Sequence, residues 1–69
     1  MPLTMAKVGE AVLIKKINGK DDVKRFLNSL GFVEGSRVSV VSELGGNIIL
    51  NVKDTRVAID RGMANRIII

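Results

Sequence analysis

The chain has 69 residues, of which 46% are hydrophobic, and a formal net charge of +4. This length predicts a single small domain that covers residues 1–69. A chain this short buries only about 60% of its unfolded surface, so its stability margin is thin. Cysteine and histidine are both absent, which excludes disulfides, thiolate and imidazole metal ligands, and catalysis by Ser-His or Cys-His pairs.

The first predicted strand covers residues 11–17. Lys15 and Lys16 interrupt its alternation of apolar and polar side chains. A bulge or bend at this pair would let Ile14 and Ile17 both face the interior. Because aromatic residues make up only 3% of the chain, Val, Ile and Leu must build the core, and the β-branched ones among them favour a sheet.

One α-helix is predicted over residues 22–30. Its apolar residues recur at i, i+3, i+4 and i+7, the spacing of a single helix face: Val23, Phe26, Leu27 and Leu30. Asp21 is predicted to cap the first turn, and Gly31 to supply a left-handed residue after the last turn. Both phenylalanines are therefore expected in the core, with Phe32 folded back on Leu27.

Three strands are predicted after the helix at short spacing: residues 37–43, 47–53 and 55–60. In the first hairpin, pairing Val40 with Leu50 places Ser42 opposite Ile48. This register leaves residues 44–46 as a three-residue loop, for which a bulge is expected.

The second hairpin and the closing segment complete the predicted elements. Pairing Val52 with Val57 leaves Asp54 and Thr55 as a two-residue turn and brings Leu50 opposite Ile59. A short helical turn over residues 61–65 and a final strand over residues 66–69 follow. Five strands with one short helix between the first and the second predict a mainly β fold, a closed or nearly closed barrel without exposed sheet edges.

The N-terminal segment contains no recognisable targeting signal. Residues 1–8 lack the basic start and long apolar stretch of a signal peptide. No apolar run approaches the roughly 18 residues of a membrane span. Since small secreted domains usually carry disulfides, the chain is predicted to be cytoplasmic.

Residues that carry a family resemblance are spread along nearly the whole chain. The segment around the helix reads Lys24-Arg25-Phe26-Leu27…Leu30-Gly31-Phe32…Gly35. The remaining matches lie in the strands and at the end of the chain: Val8-Gly9, Val38, Val40, residues 48–52, Val57-Ala58-Ile59 and Ala64…Ile67…Ile69. In this order and spacing the chain resembles the FeoA family, the small SH3-like barrels associated with bacterial ferrous-iron uptake.

The resemblance implies both a fold and a function. The implied fold is a small SH3-like five-stranded β-barrel with one short α-helix. The implied function is that of a non-enzymatic cytosolic accessory of ferrous-iron uptake, which docks on the cytosolic part of the FeoB transporter and modulates it. A similar barrel occurs in metal-dependent repressors, so a metal-responsive regulatory domain is the alternative that the resemblance brings.

The side chains that could bind a metal are all carboxylates: Glu10, Asp21, Asp22, Glu34, Glu43, Asp54 and Asp60. Ferrous iron prefers sites that include imidazole or thiolate, so neither a metal site nor a cofactor is predicted. Catalytic residues are not predicted either, because the chain has no nucleophile–base pair and no phosphate-binding loop. A filled barrel of this size also leaves no obvious cleft.

Two surfaces are predicted to bind the partner. Lys24 and Arg25 lie in the densest basic region, which either docks on an acidic protein surface or is an ordinary solvated face. Val41 and Ile49 are predicted to lie opposite each other on the outer face of the first hairpin, with Leu44 at its tip. They form either an interface or an ordinary cross-strand pair.

Other partners fit a small basic barrel less well. The charge suits nucleic acid, but proteins that bind single strands stack bases on exposed aromatic side chains, and none is expected here. No nucleic-acid partner and no membrane insertion are therefore predicted. Self-association remains open, because the closing strand Ile67-Ile68-Ile69 offers an edge to a second copy.

Overall fold

The computed structural model describes residues 1–69 and is mainly β, as predicted. Four antiparallel strands form one sheet in the order β1 (Ala11–Leu13), β3 (Arg37–Leu44), β4 (Asn47–Val52) and β5 (Thr55–Asp60). A second antiparallel pair joins β2 (Lys16–Ile17) to β6 (Ile67–Ile68). The other elements are a 3-10 turn (Leu3–Met5), helix α1 (Asp21–Ser29) and helix α2 (Arg61–Ala64).

The predicted first strand is divided between the two sheets, so six strands are present rather than five. The Ile14 N–H donates to Ser36, which precedes β3, whereas the next N–H, that of Lys15, donates to Ile68 in β6. This change of partner occurs at the predicted bend. Ile14 and Ile17 are both buried, which confirms that the broken alternation serves to turn two isoleucines inward.

The first hairpin has its bulge inside β3 rather than in the loop. Val40 pairs with Leu50 as predicted, but Ser42 lies opposite Ile49 and not Ile48. Because the extra residue of the bulge sits at Val41, two residues of β3 oppose one residue of β4. The predicted three-residue loop is therefore wrong, and a two-residue turn, Gly45-Gly46, closes the hairpin.

The second hairpin is offset by two residues from its predicted register. Leu50 lies opposite Val57, and Val52 opposite Thr55, which leaves Lys53 and Asp54 as the turn. Both turn residues have positive φ, 50° and 65°, as a type I′ turn requires. An offset of two residues preserves the side-chain alternation, so the buried face of β5 was predicted correctly although its partners were not.

Helix α1 starts one residue earlier than predicted, and Asp21 belongs to its first turn rather than capping it. Its C-terminus ends as expected: the N–H groups of Gly31 and Phe32 donate to the carbonyls of Asn28 and Leu27, and Gly31 has φ 103°. These two bonds define a Schellman motif. They turn the chain so that Phe32 is fully buried.

All the buried residues belong to one apolar cluster that joins both sheets, the 3-10 turn and both helices. Leu3 and Ile67 are fully buried within it. The closing strand is paired on both sides, because Ile68 lies opposite Lys16 and also bridges to Pro2. The edge that left self-association open is thus already paired within the chain at Ile68.

Candidate partner-binding surfaces

Helix α1 exposes the predicted basic pair to solvent. Lys24 and Arg25 are both exposed, and Lys24 lines a shallow groove of about 170 Å³ together with Asn28 and Glu34. Lys24 forms no salt bridge with Glu34. The one salt bridge in the structure joins Arg61 and Glu43 at 3.6 Å. The charge of this helix surface, defined here as Lys24 and Arg25, is therefore available to a partner.

Phe26 is exposed, contrary to the prediction that both phenylalanines lie in the core. Its side chain is 48% exposed, whereas that of Leu27 is fully buried. Successive helical residues are about 100° apart, so Phe26 lies at the margin of the face that is centred near Leu27. The helix surface is thus bordered by an accessible aromatic ring.

The first hairpin carries the predicted apolar residues on its outer side. Val41 and Ile49 are half-buried, and Leu44 is 72% exposed, more than any other large apolar side chain. Val41 is the bulge residue rather than the register partner of Ile49, but the bulge sets both Val41 and Ser42 against Ile49. The three predicted residues, Val41, Leu44 and Ile49, are kept together here as the hairpin surface.

The exit of helix α1 and the turn of the first hairpin lie at opposite ends of β4. The helix exit lies near Val52, since a Cβ atom on Gly31 would be 2.7 Å from Val52 Cγ1. The hairpin turn lies at the other end, where the Arg61 N–H donates to the Gly46 carbonyl. A six-residue strand places its ends about 17 Å apart. The helix exit and the turn of the first hairpin are therefore separated by about the length of β4.

Three further cationic side chains, which no local sequence pattern brings together, share the exterior of the large sheet: Arg37, Lys53 and Arg56. Arg37 and Lys53 line a common groove, and Arg56 lies opposite Asn51, which lines the same groove. These residues are far apart in sequence and only the strand pairing brings them together. Within the sequence, the alternation of Arg37 with the apolar Val38 indicates that Arg37 faces outward, but it does not identify the neighbours of Arg37.

The carboxylates do not gather into a candidate metal centre. No group of three or more Asp and Glu side chains is placed so that it could hold a metal ion. Helix α1 has nine residues and helix α2 has four, and neither is long and apolar enough to cross a bilayer.

This chain matches one family of known proteins over its whole length. The family model described as "FeoA domain" matches residues 1–69. A protein of Methanocaldococcus jannaschii named "Putative Fe(2+) transport protein A" is 37% identical over 68 residues, which cover 99% of this chain and 83% of that protein.

Two solved structures show how closely the folds agree. The crystal structure of an iron uptake regulatory protein, FeoA, is 30% identical and superposes with a TM-score of 0.88, covering 96% of this chain and 88% of that one. The zinc complex of FeoA from Stenotrophomonas maltophilia, described as a procaryotic SH3 domain protein, is 26% identical with a TM-score of 0.84, covering 99% and 87%.

Proposed function

Because the chain belongs to the FeoA family of ferrous-iron transport accessory proteins, we propose that it docks, without catalysis, on the cytosolic part of the FeoB transporter and modulates it. The protein would accordingly work in the cytoplasm. The observation that carries this proposal is the hairpin surface. Leu44 is 72% exposed at its tip, and half-buried Val41 and Ile49 lie beside it. Apolar side chains clustered on an exterior face are typical of protein-binding surfaces.

The basic helix surface supports the same proposal through electrostatics. Lys24 and Arg25 are exposed and have no carboxylate partner in the chain. Charges of this kind accelerate encounter with an acidic protein surface and orient the partner, but contribute less to the final affinity. The helix surface is therefore expected to set the association rate, and the hairpin surface the lifetime of the complex.

A titration with the soluble cytosolic domain of the transporter tests the proposal. The domain is added to the ¹⁵N-labelled protein, and the affinity is compared between wild type, the Lys24→Glu/Arg25→Glu variant and the Leu44→Asp variant. We expect Leu44→Asp to weaken binding at least about fivefold, since truncation or charging of a central contact costs more than about 1 kcal/mol. Lys24→Glu/Arg25→Glu is expected mainly to slow association.

Matched controls separate these surfaces from general effects. Met5→Asp charges an equally accessible apolar side chain, 65% exposed, outside both surfaces. Lys7→Glu, compared with the single Lys24→Glu variant, reverses one exposed charge elsewhere. Unchanged affinity in both test variants would exclude the two surfaces, and the absence of any binding would count against the partner.

The exposed aromatic ring favours one second candidate function, the binding of single-stranded nucleic acid. Phe26 is 48% exposed and adjoins Arg25 in sequence, and an aromatic ring beside cations is the arrangement on which such strands stack. Binding to an RNA oligomer at two salt concentrations, with wild type and Phe26→Ala, tests this candidate. Steeply salt-dependent binding that Phe26→Ala weakens would favour it over protein docking.

A further inference from the structure

The outer face of the four-stranded sheet is divided into a basic part and an apolar part. Side chains alternate across a strand, so the residues beside the buried Val38 and Val40 of β3 and the buried Leu50 of β4 face outward. The strand register then fixes which outward residues are neighbours. None of these positions carries an aromatic residue, since the two phenylalanines lie in and just after α1.

The apolar part lies nearer to the first hairpin and crosses three strands. Ser42, Ile49 and Ala58 are directly opposite one another in β3, β4 and β5. The bulge adds Val41 to the same position on β3. We call this the apolar strip, and it consists of Val41, Ile49 and Ala58.

The basic part lies nearer to the second hairpin. A groove of about 350 Å³ is lined by Arg37, Lys53 and the polar residues Ser39 and Asn51, and Arg56 lies opposite Asn51 on β5. We call this the basic end, and it consists of Arg37, Lys53 and Arg56. Asp54 is the one acidic residue that lines the groove, and none of the three cations forms a salt bridge.

The distance between the two parts follows from the strand geometry. Asn51, opposite Arg56, and Ile49, opposite Ala58, are two residues apart on β4. Their side chains are therefore about 7 Å apart on the same face. The same spacing separates side chains i and i+2 of an extended segment, so alternate residues of a bound segment would meet the two parts in turn.

We propose that this face docks an extended segment of a partner protein in which carboxylates and apolar side chains stand two residues apart. The carboxylates contact the basic end, and the apolar side chains cover the apolar strip. The chemistry of the partner follows from complementarity: unpaired cations call for anions, and an aliphatic strip calls for aliphatic contacts rather than stacked bases.

A second copy of this chain fits the face poorly. In a two-fold dimer the same patch lies on both subunits, so the basic end of one copy would face either the basic end or the apolar strip of the other, and neither supplies an anion. Like charges placed together in an interface oppose association. The inference rests on the proposed function only for the identity of the partner, and the chemistry of the segment is argued from this face alone.

The test uses two probes with the ¹⁵N-labelled full chain at low salt. One is the cytosolic domain of the transporter, and the other is a synthetic peptide of repeated Glu-Ser-Leu-Ser, in which glutamate and leucine stand at i and i+2. We expect both to shift the amide resonances of Ile49, Asn51 and Arg56. Arg37→Glu/Arg56→Glu is expected to weaken both at least about tenfold, and the milder Arg37→Gln/Arg56→Gln to weaken them less. Lys15→Glu/Lys16→Glu, which makes the same charge change outside this face, should bind as wild type does.

The outcomes for the inference and for the proposed function are distinguishable. If the domain binds with unchanged affinity to Arg37→Glu/Arg56→Glu, the inference is overturned while the proposed function stands. If the peptide binds this face and the domain does not, the inference stands and the proposed function fails. Failure of both probes to shift this face overturns the inference. The inference is also overturned if an RNA oligomer binds the same residues more tightly than either probe, or if dimerisation protects this face.

Discussion

At the scale of single residues, Gly31 is the position where the backbone and the packing both exclude a side chain. Its φ is 103°, and a Cβ atom there would lie 2.7 Å from Val52 Cγ1. Gly35 is the matched control, because its φ is 86° but a Cβ atom there would have no neighbour within 4 Å. Alanine at either site incurs the left-handed backbone penalty of about 1–2 kcal/mol.

We expect Gly31→Ala to lose a further 1–3 kcal/mol, roughly the range for overpacking a dense core. Urea unfolding followed by far-UV circular dichroism measures both variants, and no tryptophan or tyrosine is present to provide a fluorescence signal. An equal loss of unfolding free energy in the two variants would show that the contact with Val52 relaxes without cost.

At the scale of elements, helix α1 is anchored by Leu27 rather than by its aromatic residue. Leu27 is fully buried, whereas Phe26 is 48% exposed. Leu27→Ala is therefore expected to lower the free energy of unfolding by about 2–5 kcal/mol, and Phe26→Ala by no more than about 0.5–1 kcal/mol. Thermal unfolding of the two variants measures both losses. A larger loss of unfolding free energy for Phe26→Ala than for Leu27→Ala would contradict the observed helix orientation.

The turn between β4 and β5 uses residues that are poorly suited to its geometry. Lys53 and Asp54 both have positive φ, where Asn-Gly is the preferred pair. Lys53→Asn/Asp54→Gly is expected to raise the free energy of unfolding by about 1 kcal/mol, because it relieves left-handed strain. Lys53→Val is the opposite control and should lower it, since a branched side chain tolerates positive φ least. Urea midpoints compare the two variants.

The same turn shows why sequence patterns predicted the elements better than their registers. The alternation of Ile48, Leu50 and Val52 identified the buried face of β4, and an error of two residues leaves that face unchanged. The pair Lys53-Asp54 lacks the Asn-Gly or Asp-Gly sequence typical of a type I′ turn. The turn was therefore predicted one residue later, at Asp54 and Thr55. The bulge at Val41 was likewise assigned to the Gly45-Gly46 loop, where glycine is the usual signal.

Candidate surfaces were predictable only where neighbours in sequence are also neighbours in space. Lys24 and Arg25 lie on one helix, and Val41 and Ile49 belong to one hairpin, so local patterns selected them. The basic end joins residues of β3, the second turn and β5, and its grouping depends on the registers of both hairpins. Phe26 was wrongly predicted to be buried. The apolar face of helix α1 has only four residues, and their spacing does not show which edge of that face contacts the core.

At the scale of the whole molecule, the two sheets share one core and are expected to unfold together. Ile14 is 1% exposed and stands at the bend where the chain passes from β1 to β2. Its N–H donates to Ser36 beside the large sheet, while the next N–H donates to Ile68 in the small one. Loss of packing at Ile14 should therefore reach both sheets.

Ile14→Val tests this coupling without threatening the fold, because the lost methylene costs about 0.5–1.5 kcal/mol. Amide hydrogen exchange then reports opening in each sheet separately, at Leu50 in β4 and at Lys15 and Asn18, whose N–H groups donate to Ile68 and Arg66. If opening is global, protection falls at all three amides by the same factor, roughly 2- to 12-fold. A fall confined to Lys15 and Asn18 would mean that β2 and β6 open alone. The four-stranded sheet would then be the cooperative unit of unfolding, and the two-stranded sheet would open independently of it.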